Sequence, residues 1–156
     1  MTDATTMAQD PDEPFDVLYA DGSPTGVVKT RASVHRDGDW HRALHVWVAG
    51  RDETGEPFLM FQRRSAAKDS WPDHFDTTVG GHFRAGETLQ ECLREIEEEI
   101  GLPATDLALR PLGTRIDVAE SPALRDHELQ DVFLLLDDRP LTAYRPHPIE
   151  LSALVR

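Results

Sequence analysis

The stretch GHFRAGETLQECLREIEEEIGL, residues 81–102, crowds glutamates onto a segment with helical periodicity, and the rest of the chain can be placed around it. On a helix turning about 100° per residue, with Glu95 at zero, Glu99 falls near 40°, Glu91 near 320° and Glu98 near 300°. These carboxylates share one face. Leu89, Ile96, Ile100 and Leu93 fall at roughly 120°, 100°, 140° and 160°, which makes the other side a narrow apolar stripe for a core. Like charges at i,i+4, such as Glu91/Glu95 and Glu95/Glu99, cost a bare helix a few tenths of a kcal/mol each. A cation on that face would offset the repulsion, and hard carboxylate oxygens suit Mg²⁺ or Mn²⁺. A charge run alone is more commonly a solvated helix side. Gly80, Gly81 and Gly86 tip the balance, because they turn the backbone sharply and permit close approach to a metal or phosphate.

The 156 residues, 39% of them hydrophobic, suit one domain with a sizeable core. A net charge of −13 and a pI near 4.8 repel polyanions, which argues against a nucleic-acid polymer or an acidic membrane surface as partner. Cys92, the one cysteine, leaves no intramolecular disulfide to form. No apolar run approaches the roughly 20 residues of a membrane span, and the first residues lack the pattern of a secretion signal. A cytoplasmic location without membrane contact is the default expectation.

Residues 1–14 are polar and acidic and predict a disordered leader ahead of a single domain over residues 15–156. Residues 15–20 read as a strand, 21–26 as a turn and 27–35 as a second extended or helical piece. Residues 43–48 form a central strand by their β-formers, residues 52–57 a hairpin turn, and residues 58–61 the returning strand. A short strand over 75–79 delivers the chain to Gly80. Thr88 and Glu91 have capping-box spacing, so a helix begins near Leu89, and Gly101 ends it. Residues 107–118 and 129–136 read as strands separated by a polar loop, 119–128, and residues 149–155 as a last strand. Strands around a central helix give an α/β or α+β domain with helices covering a sheet.

The opening stretch resembles the signature of the Nudix hydrolase family: Gly, five residues, Glu, seven residues, then Arg-Glu-aliphatic-any-Glu-Glu-any-Gly-aliphatic. Gly81 and Glu87 have the required separation, and Arg94 to Leu102 fits at every position. Only six residues, 88–93, separate Glu87 from Arg94, one fewer than the pattern. By helical arithmetic this rotates the first turn by about 100° and leaves Glu87's partner open, with the Glu95/Glu98/Glu99 face intact. The resemblance implies a Nudix-type α/β/α sandwich with a mixed sheet between helices. It also implies a divalent ion, Mg²⁺ or Mn²⁺, held by Glu95, Glu98 and Glu99, with Gly81, Glu87 and Arg94 as structural support. The expected substrate is a small-molecule diphosphate, a nucleoside diphosphate derivative or another organic diphosphate, attacked by water. Glu98 or Glu99 would accept the proton. Glu128 is a second base candidate, against the plainer reading of a surface loop acid.

From about Asp16 onward the chain is similar to the branch that includes isopentenyl-diphosphate isomerases, through His41, Arg63-Arg64, Lys68, Trp71-Pro72 and Val79-Gly80-Gly81-His82. That likeness implies a second metal site of His35, His41 and His82 with Glu97 or Glu99, and a diphosphate grip by Arg64 and Lys68, with Arg115 a further substrate-binding candidate. A lone histidine is more often a plain hydrogen-bonding residue, and surface cations serve solubility. The isomerase's catalytic cysteine would stand just before the Gly81-His82 pair, where this chain has Gly80. Cys92 falls between the two helix faces and reads as a packing residue. The expectation is therefore an isomerase-like frame carrying hydrolase chemistry, with isomerase and non-catalytic ligand sensor as alternatives. The terminal helix that many relatives carry is not seen before Arg156, which points to a truncated chain or to a face completed by a partner, a homodimer included.

Overall fold

The computed structural model describes residues 9–156. In chain order it contains β1 (Pro14–Leu18), β2 (Pro24–Thr30), α1 (Arg31–Asp37), β3 (Trp40–Arg51), β4 (Pro57–Arg64), β5 (Phe75–Asp76) and β6 (Val79–His82). There follow α2 (Leu89–Cys92), α3 (Arg94–Ile100), β7 (Leu109–Glu120), β8 (Arg125–Leu136) and β9 (Leu151–Val155).

β3 is the strand the sheet is built on. One of its edges pairs in parallel with β8, from Trp40↔His127 to Ala49↔Leu136. The other is shared, antiparallel, by β6 opposite residues 43–46 and β4 opposite residues 48–51. β4 in turn carries β5 and β9, so the sheet is mixed. Alternation along β3 divides its side chains between two faces. Leu44, Val46 and Val48 are buried against Ile96 and Ile100 of α3, with Cys92 and Leu93 in the same cluster. His41 and His45 project to the opposite face, where α1 packs against β8 and the N-terminal strands and Val34 meets Phe15 and Val17. Helices on both faces of a mixed sheet are the architecture the sequence predicts. Among the described residues no helix is long and apolar enough to cross a membrane.

The helix boundaries follow their residues. Thr88 and Glu91 form the reciprocal capping box, and Gly101 closes α3 in the left-handed conformation at φ 74°. The short junction before Arg94 does not rotate a continuous helix; it breaks one. Leu93 separates α2 from α3, and Ile96 N–H reaches back only three residues to the Leu93 carbonyl.

Four expectations change. Residues 27–35 are both strand and helix, divided at Thr30, whose side chain caps α1 by accepting from Ser33 N–H. Residues 75–79 belong to two strands, because Phe75 and Asp76 pair with β4 while Val79 onward pairs with β3. The loop expected over 119–128 shrinks to residues 121–124: β7 and β8 stay paired as far as Glu120↔Arg125, which puts Asp126 and Glu128 on a strand. Polar residues at 126, 128 and 130 disguised its period-two pattern. Of the leader, residues 1–8 lie outside the described residues. From Gln9 on the chain is held rather than disordered: Gln9 Oε1 accepts from Asp69 N–H at 3.0 Å and the Glu13 carbonyl from Arg31 N–H at 2.8 Å.

Candidate active site

The glutamate face is positioned by a strand with no side chain at the contact. A Cβ on Gly81 would lie 2.4 Å from Glu95 Cδ, so β6 can rest on the Glu95 carboxylate only through a glycine. Burial pushes the Glu95 carboxyl up to about 7, even with Arg94 pulling the other way. Arg94 Nη1 lies 2.5 Å from Glu95 and 3.1 Å from Glu98. Its Nε and Nη2 donate to Glu87 at 2.8 Å and 3.3 Å, which answers the open question of Glu87's partner. Glu99 is buried, and its Oε2 accepts from Gln62 Nε2 at 3.1 Å and from Gly80 N–H at 3.2 Å. Burial, with Glu95 beside it, holds its carboxyl well above the usual range. Glu98 is half exposed. Two buried carboxylates raised in this way are short of positive charge, and their hard oxygens fit Mg²⁺ or Mn²⁺.

The three histidines expected as a second site come together, but the carboxylate that joins them is Asp126 rather than Glu97 or Glu99. One ligand atom from each of His35, His41, His82 and Asp126 lies within 4.8 Å of the others; among the described residues the three glutamates form no group so tight. His35 Nε2 and His41 Nε2 stand 3.5 Å and 3.3 Å from Asp126 Oδ1. That oxygen is buried yet has no well-formed hydrogen bond, as an atom awaiting a cation would. Burial alone would lower the His41 pKa, but Asp126 and Glu128 outweigh it and the net direction is up. Burial, and then the Arg31 charge, pull His82 down to about 4. Phe15 stacks on His41 and His82 with centroids 5.4 Å and 5.1 Å away, sealing the cluster on one side.

Arg31 qualifies the role of His82. Its Nη1 lies 3.0 Å from His82 Nδ1, and a guanidinium can only donate. Nδ1 therefore accepts, and Nε2 carries the hydrogen given to Glu128 at 2.8 Å. Two histidines and Asp126 thus have lone pairs to offer, while His82 acts as a donor. Glu128, expected near the surface, is buried; Gln130 also donates to it at 2.7 Å. Burial would raise its pKa, but the His82 contact pulls it down to about 2.

Glu95, Glu98 and Glu99 line one cavity of about 620 Å³ together with His82, Asp126 and Glu128, while His35 lines a second cavity and His41 neither. Arg64, Lys68 and Arg115 line the first too, each paired with a carboxylate: Arg64 with Asp76 at 3.0 Å, Lys68 with Glu150, and Arg115 with Asp117 at 3.0 Å. Arg64 also donates to the Ser70 carbonyl and hydroxyl, which fixes the loop after β4. Carboxylates outnumber lysine and arginine in the lining by two to one, so the cavity as a whole is acidic. Sequence reasoning missed Asp126, Arg31 and His45. The signal for Asp126 was its place two residues before Glu128, on the same strand face.

A mixed sheet between helices, with a carboxylate-rich cavity at the strand that precedes the acidic helix, defines an α+β domain of the sandwich class. A family model described as the NUDIX domain matches residues 40–153, and the chain belongs to the Nudix hydrolase family. It is 40% identical over 148 residues to "Nudix hydrolase 3" of Arabidopsis thaliana, an alignment that covers 92% of this chain and 19% of that protein. To an isopentenyl-diphosphate Delta-isomerase of Leifsonia xyli it is 29% identical over 126 residues, 79% of this chain and 66% of that one. The crystal structure of DR0079 from Deinococcus radiodurans shares the fold, with a TM-score of 0.69 at 24% identity over 92% of this chain and 82% of the other.

Proposed function

We propose that the chain is a divalent-metal-dependent hydrolase that uses water to cleave the diphosphate linkage of a nucleoside diphosphate derivative or another small organic diphosphate. The observation that carries this reading is the pair of buried carboxylates, Glu95 and Glu99, held above their ordinary protonation range where β6 meets α3. Glu95, Glu98 and Glu99 hold Mg²⁺ or Mn²⁺, which neutralises charge on phosphoryl oxygens and acidifies bound water. Glu99 is fixed by two donors and suits a ligand. Glu98, half exposed and held by Arg94 at 3.1 Å, accepts the proton of the attacking water. Glu128, kept ionised by His82, is a poor base and belongs instead with the histidine cluster, where His35, His41 and Asp126 take a second cation. Gly81, Glu87 and Arg94 support the face. Arg64, Lys68 and Arg115 meet the substrate's phosphates by exchanging their carboxylate partners, most readily at exposed Arg115.

Protonating an alkene would require an acid where Gly80 stands, and the Cys92 thiol lies buried on α2 with its pKa pushed up by burial. Hydrolysis is therefore favoured over isomerisation. A screen of nucleotide, sugar and isoprenoid diphosphates with Mg²⁺ or Mn²⁺, read as phosphate after phosphatase treatment, tests the proposal. Turnover that is lost in Glu98→Gln and Glu99→Gln with the fold intact is the expected result. Full metal-dependent activity in both variants, or an allylic diphosphate product, would contradict it.

A further inference from the structure

We propose that His45 is a further catalytic residue of this cavity: its imidazole hydrogen-bonds the oxygen that leaves phosphorus and gives it a proton. The inference rests on the hydrolase reading above. Neither the acidic signature nor the histidine cluster includes His45, which lies four residues beyond His41 on the same face of β3 and lines the cavity. The β3–β6 register sets it directly opposite Gly80.

Gly80 is what makes the imidazole available. A Cβ at that position would lie 3.8 Å from His45 Nε2 and 3.9 Å from Cδ2, so any side chain larger than alanine's would extend from a point already in contact with the ring. With glycine there, the Nε2 edge stays uncovered. The same Gly80 donates its N–H to Glu99 Oε2 at 3.2 Å, which places the ring one peptide unit from the carboxylate assigned to the ion. His45 is also partly buried and has no hydrogen-bond partner among the described residues, whereas His82 has two and His74 contacts the Pro72 carbonyl. An imidazole in the floor of a polar cavity needs a partner, and the group that enters this cavity is a diphosphate. In the balanced step the water oxygen bonds to phosphorus while its proton passes to Glu98. The bond from phosphorus to the bridging oxygen breaks, its electron pair goes to that oxygen, and the oxygen takes the Nε2 proton of the doubly protonated His45 ring, which is left as neutral imidazole. Glu98 releases its proton to solvent and solvent returns one to the ring, so one water is consumed and nothing is oxidised or reduced.

The test uses the diphosphate turned over best by the wild type, with kcat and KM measured for His45→Gln, His45→Ala, Gly80→Ala, Gly80→Val and the double variant His45→Ala/Gly80→Val. Both His45 variants should lose kcat by about 10²-fold, with KM moved far less. Gly80→Ala makes only ordinary contacts, at 3.4 Å to Thr77 Oγ1 and 3.8 Å to the ring, and should fold and lose least. Gly80→Val covers the ring and should lose nearly as much as His45→Ala. Because both act on one contact, the double variant should be no slower than the slower single variant. Retained kcat in both His45 variants beside an active wild type overturns the assignment and leaves the hydrolase reading standing. So do losses that multiply in the double variant. A wild type that turns over no diphosphate with either metal removes the hydrolase reading and this inference with it.

Discussion

The glutamate face and the histidine cluster border one cavity, the cluster through His82 and Asp126, and are built in opposite ways. Glu95, Glu98 and Glu99 come from a single turn of α3, so their order along the chain fixes which way they face. They are nevertheless drawn apart, Glu95 and Glu98 to Arg94 and Glu99 to Gln62 and Gly80. His35, His41, His82 and Asp126 come from α1, β3, β6 and β8 and meet only because the sheet's register brings them together, yet they form the tighter group. A local motif announces a site without assembling it. Register assembles a site without announcing it.

The contrast predicts unequal consequences for damage on the two sides. Glu99→Gln keeps an acceptor for Gly80 N–H but removes the charge, and should lower kcat by roughly 10²- to 10⁴-fold in steady-state assays. A loss below tenfold would shift the chemistry toward the histidine side. The next effect is on stability. Glu95 keeps its proton to about pH 7 when folded and only to about 4.5 when unfolded, so the folded state binds more protons between those values. With metal chelated, the contribution of Glu95, read as the difference in stability between wild type and Glu95→Gln, should be largest below pH 4.5 and fall by up to about 3 kcal/mol as pH rises through 7. Added Mg²⁺ should restore it, and a flat or rising profile in denaturant melts would sever the link between burial and cation demand.

On the other side, Asp126→Asn should weaken Mn²⁺ binding at the histidine cluster by about 10- to 100-fold in calorimetric titrations while sparing the glutamate site. Equal weakening of both would merge the two regions into one. The smallest effect lies outside both. Thr88→Ala removes the N-cap of α2 and should cost about 1 kcal/mol in thermal or denaturant melts with kcat unchanged.

What could be read in the sequence was whatever depends on near neighbours. The capping box at Thr88 and Glu91, the stop at Gly101, and the apolar stripe of Leu93, Ile96 and Ile100 are all found as predicted. The junction before Arg94 marks the limit of helical arithmetic. Rotating the first turn by about 100° would have swung Leu89 and Cys92 off the core side, whereas a break at Leu93 costs roughly one hydrogen bond and keeps the stripe buried. Asp126 could not be assigned because its partners depend on the parallel pairing of β3 with β8, which no local spacing encodes. In the sequence Gly80 reads as a turn-forming glycine and as a missing cysteine. Its pairing with His45 shows that the same glycine opens the cavity floor to an imidazole.

The central claim is that one cavity is bordered by two separate cation sites. Titrating Mn²⁺ into metal-free protein, followed by calorimetry, tests it most directly on three chains: wild type, Glu98→Gln/Glu99→Gln and His35→Ala/His41→Ala. Two equivalents in the wild type and one in each double variant is the predicted result. A single equivalent in the wild type, abolished by either pair of substitutions, would contradict it.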